Sequence, residues 1–174
     1  MQANETKIGD TILYANMTWT VLDKDENGNI KIFAEDVDKQ NIFDEETNNW
    51  AKCILRKKLP DLFPEINLFD LVEFERDLRT EDGCIDYGKC VDKISLISTD
   101  EYRKYREIIS TTPGNWSWTL SGESIVFNGV VRYIDGYGTL GDSYCNDCGG
   151  CVRPLCVLKS STEIKKFANN RKNG

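Results

Sequence analysis

Cysteine is the residue type whose spacing here most directly invites chemistry. Cys145-Asn146-Asp147-Cys148-Gly149-Gly150-Cys151 sets three thiols at two-residue gaps, and Cys156 follows five positions later. A loop with that spacing can wrap a tetrahedral ion, and Gly149-Gly150 supplies the backbone freedom that wrapping needs. Cys145, Cys148, Cys151 and Cys156 are the expected ligands, with zinc as the ion. Cys84 and Cys90 could instead complete a site with Cys145 and Cys148, and thiolates alone are formally compatible with an iron–sulfur cluster. Oxidation could also close a disulfide, either Cys84 to Cys90 or one within the 145–151 segment. The plainest alternative is that these are small loop residues, with Cys156 an ordinary thiol between Leu155 and Val157. A metal- or thiol-dependent oxidoreductase using Cys145, Cys148 and Cys151 is the enzymatic reading this cluster allows.

Other catalytic chemistry finds little support. The 174 residues include no histidine, which removes Ser-His-Asp triads, Cys-His dyads, imidazole metal ligands and the commonest near-neutral proton shuttle. Acidic runs such as Asp44-Glu45-Glu46 and Glu81-Asp82 have no apolar flank to raise a pKa, so they read as solvated surface. No Gly-rich phosphate loop occurs, and Gly136-Tyr137-Gly138 is a turn signal. A net charge of −7 argues against nucleic acid as a partner, because phosphate binding needs clustered cations. The cations Lys165, Lys166, Arg171 and Lys172 read as a solvated terminus. No apolar run reaches the length of a membrane span, and Met1 to Asp10 lacks the apolar centre of a signal peptide. The expectation is therefore cytoplasmic synthesis without membrane insertion. In that compartment seven cysteines are more readily thiols or metal ligands than a disulfide framework.

Hydrophobic periodicity sketches the elements that would carry these residues. Thr18 to Leu22 alternates, Asp25-Glu26-Asn27-Gly28-Asn29 turns, and Ile30 to Ala34 alternates again, which predicts a hairpin. Asn48 or Asn49 can cap a helix with Trp50, Ile54, Leu55 and Leu59 on one stripe, ending at Pro60. Leu62 to Phe74 predicts short helices or turns around Pro64. The charged segment from Arg76 to Asp92 predicts a long loop carrying Cys84 and Cys90. A short strand, Ile94 to Ile97, precedes a capping box at Ser98 and Glu101, and a helix carrying Tyr102, Tyr105, Ile108 and Ile109 follows. In the last third, Trp116, Trp118 and Leu120 share one strand face. Further strands are expected at Ser124–Phe127, Val130–Ile134 and Val152–Lys159, with Pro154 implying an edge position or a bulge. Strands at both ends and helices in the middle predict an α+β class. One domain spans residues 1–160, and residues 161–174 form a polar basic tail.

Several of these residues stand in a recognisable order. Trp19-Thr20-Val21-Leu22 is followed by Trp50 with Leu55-Arg56 and Leu59, then by Ser95-Leu96-Ile97-Ser98 before Glu101-Tyr102. Trp116-Ser117-Trp118-Thr119-Leu120 and a closing Val152-Arg153-Pro154 complete the series. From about Ile8 to Ser160 the chain resembles an uncharacterised domain family of Gram-positive gut bacteria and their prophages. That resemblance implies a C-type lectin-like fold, as in formylglycine-generating enzymes and phage receptor-binding proteins, with adjacent N- and C-terminal strands. It also implies a ligand face built by the loops between Val130 and Gly150, and virion association. The calcium motifs of vertebrate C-type lectins do not occur here. The active cysteines of formylglycine-generating enzymes have no residue-by-residue match in Cys145, Cys148 or Cys151.

The resemblance further implies that a retroelement could diversify such a face, since Tyr, Asp, Asn and Ser are residue types that adenine mutagenesis generates. The expected ligand-binding residues are Trp118, Tyr133, Asp135, Tyr137, Asp142, Tyr144, Asn146 and Asp147, with Ser143 of the same type. Of the two neighbouring indoles, Trp118 is assigned to the binding rim and Trp116 to the interior. Trp19, Trp50, Arg56, Arg153 and Pro154 are expected to be structural, with each arginine tied to a carboxylate or its own element. The functional expectation is a non-catalytic module that binds a protein or glycan and needs no cofactor.

Overall fold

The computed structural model describes residues 1–35 and 38–167. In chain order its strands and helices are β1 (Thr11–Tyr14), β2 (Met17–Lys24), β3 (Ile30–Ala34), α1 (Ile54–Leu62), β4 (Phe74–Asp77), β5 (Lys89–Asp92) and β6 (Ile94–Ser95). They continue with α2 (Thr99–Tyr105), β7 (Ser117–Gly122), β8 (Val130–Ile134), β9 (Leu140–Tyr144), β10 (Leu155–Leu158) and β11 (Lys165–Lys166). Among the described residues three antiparallel sheets result. The largest has the order β11-β1-β2-β3-β10-β6, β4 pairs only with β5, and β7-β8-β9 form a three-stranded meander.

This arrangement overturns the α+β class expected from the sequence. Among the described residues the chain is mostly β, and its two α-helices have nine and seven residues. Two segments account for the change. The charged stretch expected to be a loop closes into the β4–β5 hairpin, with Arg76 opposite Cys90 and Phe74 opposite Asp92. The apolar stretch expected to form short helices or turns has a turn after Phe63 and one 3-10 turn, Leu68–Asp70, but then runs extended, with Val72 N–H donating to the Val157 carbonyl at 2.8 Å. Partners distant in sequence decided both, and no local periodicity registers them.

The large sheet is covered on both faces. Ile12, Trp19, Val21, Ile30, Ile32, Cys156 and Leu158 enter a main core with Phe43, Trp50, Phe63 and Trp118. Leu22, Phe33 and Leu155 enter a second core with Ile97, Tyr102, Tyr105 and Ile134. The expected N-terminal hairpin is the β2–β3 pair, with a register shift between Val21 and Asp23. Neighbouring residues of a strand face opposite sides of the sheet, so Val21 and Leu22, like Ile32 and Phe33, serve different cores.

Helix α1 begins later than the sequence suggests. Cys53 is its N-cap and accepts from Arg56 N–H, so Trp50 lies in the preceding turn. Pro60 sits inside the helix rather than ending it. At α2 the capping box forms as expected: Ser98 accepts from Glu101 N–H at 3.1 Å, and Glu101 accepts from Ser98 N–H at 3.0 Å. Ser124–Phe127 is a bend and turn rather than a strand. Pro154 lies just before β10, which is an interior strand rather than an edge or a bulge; its carbonyl accepts from Ala34 N–H at 3.0 Å.

Residues 161–167, placed in the tail by sequence, run beside the N-terminus. Thr162 and Ile164 are buried, and Lys165 and Lys166 pair with Leu13 and Ile12. Arg171 and Lys172 of that tail lie outside the described residues. Among the described residues no helix is long and apolar enough to cross a membrane.

Candidate functional site

Most of the expected ligand residues lie on β8, β9 and the loops at their ends. β8 and β9 pair in register, with Val130 opposite Tyr144, Arg132 opposite Asp142, Tyr133 opposite Gly141 and Ile134 opposite Leu140. Strand alternation therefore separates two faces. Val131, Tyr133, Gly141 and Ser143 share the face that meets the main core, whereas Val130, Arg132, Asp142 and Tyr144 share the other, whose remaining pair, Ile134 and Leu140, packs on the second core.

Tyr133 belongs to the inner face. Its ring packs on Trp116 at 4.7 Å between centroids, and the Trp116 ring meets Trp118 edge-on at 4.8 Å. Gly141 leaves room for this packing, since a Cβ there would lie 2.5 Å from the Tyr133 ring. The two indoles exchange the places expected of them. Trp118 is fully buried against Phe43, and its Nε1 donates to the Asn41 carbonyl at 2.9 Å, so it offers no surface to a ligand. Trp116 is the half-buried one.

Asp135 and Asp147 organise loops. Asp135 accepts from the N–H groups of Tyr137 and Thr139 at 2.8 and 2.9 Å and from the Thr139 hydroxyl. The Thr139 hydroxyl, then those backbone donors, hold the Asp135 carboxyl below the usual carboxylate range. Asp147 accepts from Gly149 N–H and from the Ser143 hydroxyl, each at 2.8 Å. Both carboxylates are occupied in shaping the turns that flank β9.

The residues left facing solvent are Tyr137, Asp142, Tyr144 and Asn146. Tyr137 is 78% exposed at one end of β9, and Tyr144 is 71% exposed at the other. Arg132 donates to both Glu123 and Asp142, at 3.0 and 3.3 Å, and ties the middle of this outer face together. Phe127 and Val126, 68% and 78% exposed, extend the margin beyond Tyr144. Sequence reading missed them by treating 124–127 as a strand.

Asn48, expected as a helix cap, fixes that margin from beneath. It is fully buried, and its Nδ2 donates to the carbonyls of Ser124 and Val130 at 2.9 Å and of Phe127 at 3.3 Å. Its Oδ1 accepts from the Tyr87 hydroxyl at 2.7 Å. Every polar atom of the amide is thus used. The Asn-Asn dipeptide at 48–49 carries no sequence signal for such a clasp.

The cysteines do not assemble. Among the described residues, no group of three or more His, Cys, Asp or Glu side chains is arranged to hold a metal ion, and all seven cysteines are free thiols. Cys156 is on β10, opposite both Ile32 and Ile94, deep in the large sheet. Cys151 bridges to Gln40 and Ser117, Cys145 is buried at the end of β9, and Cys148 is exposed. The short spacing from 145 to 156 spans two sheets, so sequence proximity did not become spatial convergence. Gly150 serves packing instead of ion wrapping: a Cβ there would lie 2.3 Å from Trp118 Nε1. Burial pushes the Cys156 thiol up, and burial with the nearby Asp44 carboxylate does the same to Cys145. Neither environment favours a reactive thiolate.

The residues expected to be structural are held by dense polar contacts. Arg56 Nε and Trp50 Nε1 each donate to the buried Asp92 carboxylate at 2.7 Å, and Arg56 also reaches the Ala51 and Val91 carbonyls at 3.1 Å. Trp19 Nε1 donates to the Tyr14 carbonyl at 2.9 Å. Arg153 donates to the Ala34 and Ser110 carbonyls at 2.9 and 3.1 Å and stacks over Phe33 at 4.2 Å. A further group escaped sequence reading: Arg76 donates to Ser95 and to the Leu96 carbonyl at 3.0 and 2.8 Å and pairs with Glu101, which also takes Lys31 at 3.0 Å.

A cavity of about 530 Å³ lies between the β1–β2 turn and Lys39, lined among others by Asn16, Glu35 and Glu65, and none of the expected site residues lines it. The outer margin of β8–β9 is a surface, suited to contact with an extended or convex ligand more than to enclosing a small molecule. No family model, curated protein or solved structure matches the chain.

Proposed function

We propose that the chain is a non-catalytic recognition module that engages a protein or glycan across the outer margin of β8 and β9. The observation that carries this reading is the exposure of Tyr137 and Tyr144 at opposite ends of one short strand. Each ring could bury on the order of 150–250 Å², and neither hydroxyl has a hydrogen-bond partner among the described residues. Large amphipathic rings on a rigid support are the residue type that dominates binding energy at interfaces. The turn closed by Asp135 and the clasp made by Asn48 supply the rigidity. The excess of acids over bases disfavours nucleic acid as the partner.

The resemblance to prophage proteins suggests where such a module acts: made in the cytoplasm and carried on a virion. Tyr137, Asp142, Tyr144 and Asn146 could vary without disturbing either core, which suits a face open to retroelement diversification. Tyr133, Asp135 and Asp147 could not, because each holds local structure. Sequencing the DNA around the gene tests that part. A reverse transcriptase beside a near-copy of the 130–156 segment, differing at adenines, is expected; its absence would leave a module of fixed specificity.

Binding itself is tested by screening the full chain and its Tyr137→Ala/Tyr144→Ala variant against glycan arrays and displayed peptide libraries. Ligands of the parent chain should be lost by the variant while its melting temperature is retained. Equal retention of those ligands by both would overturn the reading.

A further inference from the structure

The free side of β9 is ordered for strand addition. The β8–β9 hairpin closes with Asp135 N–H donating to the Thr139 carbonyl at 2.9 Å, and at the far end Cys145 N–H donates to the Gly129 carbonyl at 2.7 Å. Hydrogen-bonded and non-hydrogen-bonded pairs alternate along an antiparallel ladder. Gly141 and Ser143 therefore turn their backbone groups toward β8, while Leu140, Asp142 and Tyr144 turn theirs outward. Among the described residues, no hydrogen bond is made by the N–H and C=O of Leu140 and Asp142 or by the N–H of Tyr144. The Tyr144 carbonyl accepts from Asp147 N–H at 3.0 Å, which ends the open stretch. The other side of this sheet is closed, because Trp118 N–H and Cys151 N–H bind the Cys151 and Trp116 carbonyls.

Charge selects the occupant. From Tyr133 to Val152 the chain has Asp135, Asp142 and Asp147 and no Lys or Arg. Arg132, the nearest cation, is already shared between Glu123 and Asp142. A second copy of this chain is disfavoured: two-fold antiparallel pairing centred on β9 would set Asp142 against Asp142, and each copy carries a net charge of −7.

We propose that β9 accepts an extended, basic peptide segment of a partner protein as an antiparallel fourth strand. A Lys or Arg stands opposite Asp142, and apolar or aromatic side chains stand opposite Leu140 and Tyr144. The residues opposite Gly141 and Ser143 are unconstrained. This rests on the β8–β9 margin being the binding surface and narrows its ligand from protein or glycan to an alternating apolar-x-basic-x-apolar peptide.

The test is titration of the full chain, by fluorescence anisotropy, with the synthetic peptide Thr-Tyr-Thr-Lys-Thr-Val-Thr and two N-methylated forms. Methylating the Tyr, Lys and Val amides removes the hydrogen bonds to β9 and should weaken binding about tenfold or more. Methylating the intervening Thr amides should not. Replacing the peptide Lys by Glu should weaken binding to the parent chain, and Asp142→Lys should restore it. Equal binding of both methylated forms would overturn strand addition, while a loss in Tyr144→Ala would still uphold the surface. Failure of the peptide to bind at millimolar concentration would also overturn it, leaving the surface to be judged by the glycan and library screen. A dimer of the chain that the peptide dissociates would assign the edge to a second copy and overturn the basic-peptide occupant.

Discussion

The two faces of the β7–β8–β9 sheet both carry aromatic residues and treat them in opposite ways. On the inner face Trp118 is sealed between Phe43, Trp116 and Gly150, and its indole N–H is spent on the Asn41 carbonyl. On the outer face Tyr144 stands 71% exposed beside Val130, with Phe127 beyond it. Carboxylates divide in the same way. Glu101 is held by Arg76, Lys31 and the Ser98 amide, whereas Asp142 shares one arginine with Glu123 at the surface. The inner groups are committed to one another and stabilise the fold. The outer ones keep contact area and charge available for something else.

Truncating a ring sharpens that contrast most. Trp118→Ala removes a fully buried indole and should cost about 3–5 kcal/mol, read from chemical denaturation. A loss under about 1 kcal/mol would mean that the inner face is not the stabilising one.

The next largest effect is acid sensitivity. Burial works to raise the Glu101 pKa, but the Arg76 hydrogen bonds, then the charges of Arg76 and Lys31, overcome it and hold the carboxyl down at about 2. A depressed carboxyl stabilises the fold fully above its unfolded value near 4.5, and that contribution fades as pH falls toward 2. Roughly 3 kcal/mol should be lost across that window. Glu101→Gln should flatten the dependence while lowering stability at neutral pH, and an unchanged acid profile in that variant would place the sensitivity elsewhere.

Asn48→Ala should cost about 2–3 kcal/mol, because it strands the Ser124 and Val130 carbonyls and the Tyr87 hydroxyl. It should also loosen the 124–130 turn, visible as faster amide exchange there. Protection unchanged from the parent chain would remove Asn48 as the support of the outer margin.

Thiol labelling separates the regions without a large energetic effect. Cys148 should react first with a disulfide reagent at pH 8, because it is exposed. Cys53, whose thiol burial pushes up to about 12, and Cys156 should react only on unfolding. Early labelling of Cys156 would show that the large sheet opens. Smallest of all, Tyr144→Ala should change stability by less than about 0.5 kcal/mol; a larger loss would make Tyr144 part of the fold rather than of the surface.

Local signals were legible where one short segment decides the outcome. The Ser98–Glu101 capping box, the β2–β3 hairpin and the strand at Val130–Ile134 follow from alternation, turn residues and side-chain caps within a few positions. Sequence also put Tyr137, Asp142, Tyr144 and Asn146 together, because β9 and its loops are contiguous in the chain. Pairing between distant segments was not legible. The β4–β5 hairpin hides in a charged stretch, and Phe127 and Val126 were read as strand because their neighbours looked extended.

What the sequence determined by itself is therefore a set of nearby relations: caps, turns, alternation, the lack of histidine and an acidic balance with no cation between Tyr133 and Val152. Tertiary structure alone decided which indole is buried, which glycine makes room for a ring, and that Cys156 parts from Cys145, Cys148 and Cys151. Those outcomes depend on which strand lies beside which. Pairing energy comes from contacts tens of residues apart, so no window of a few residues contains it.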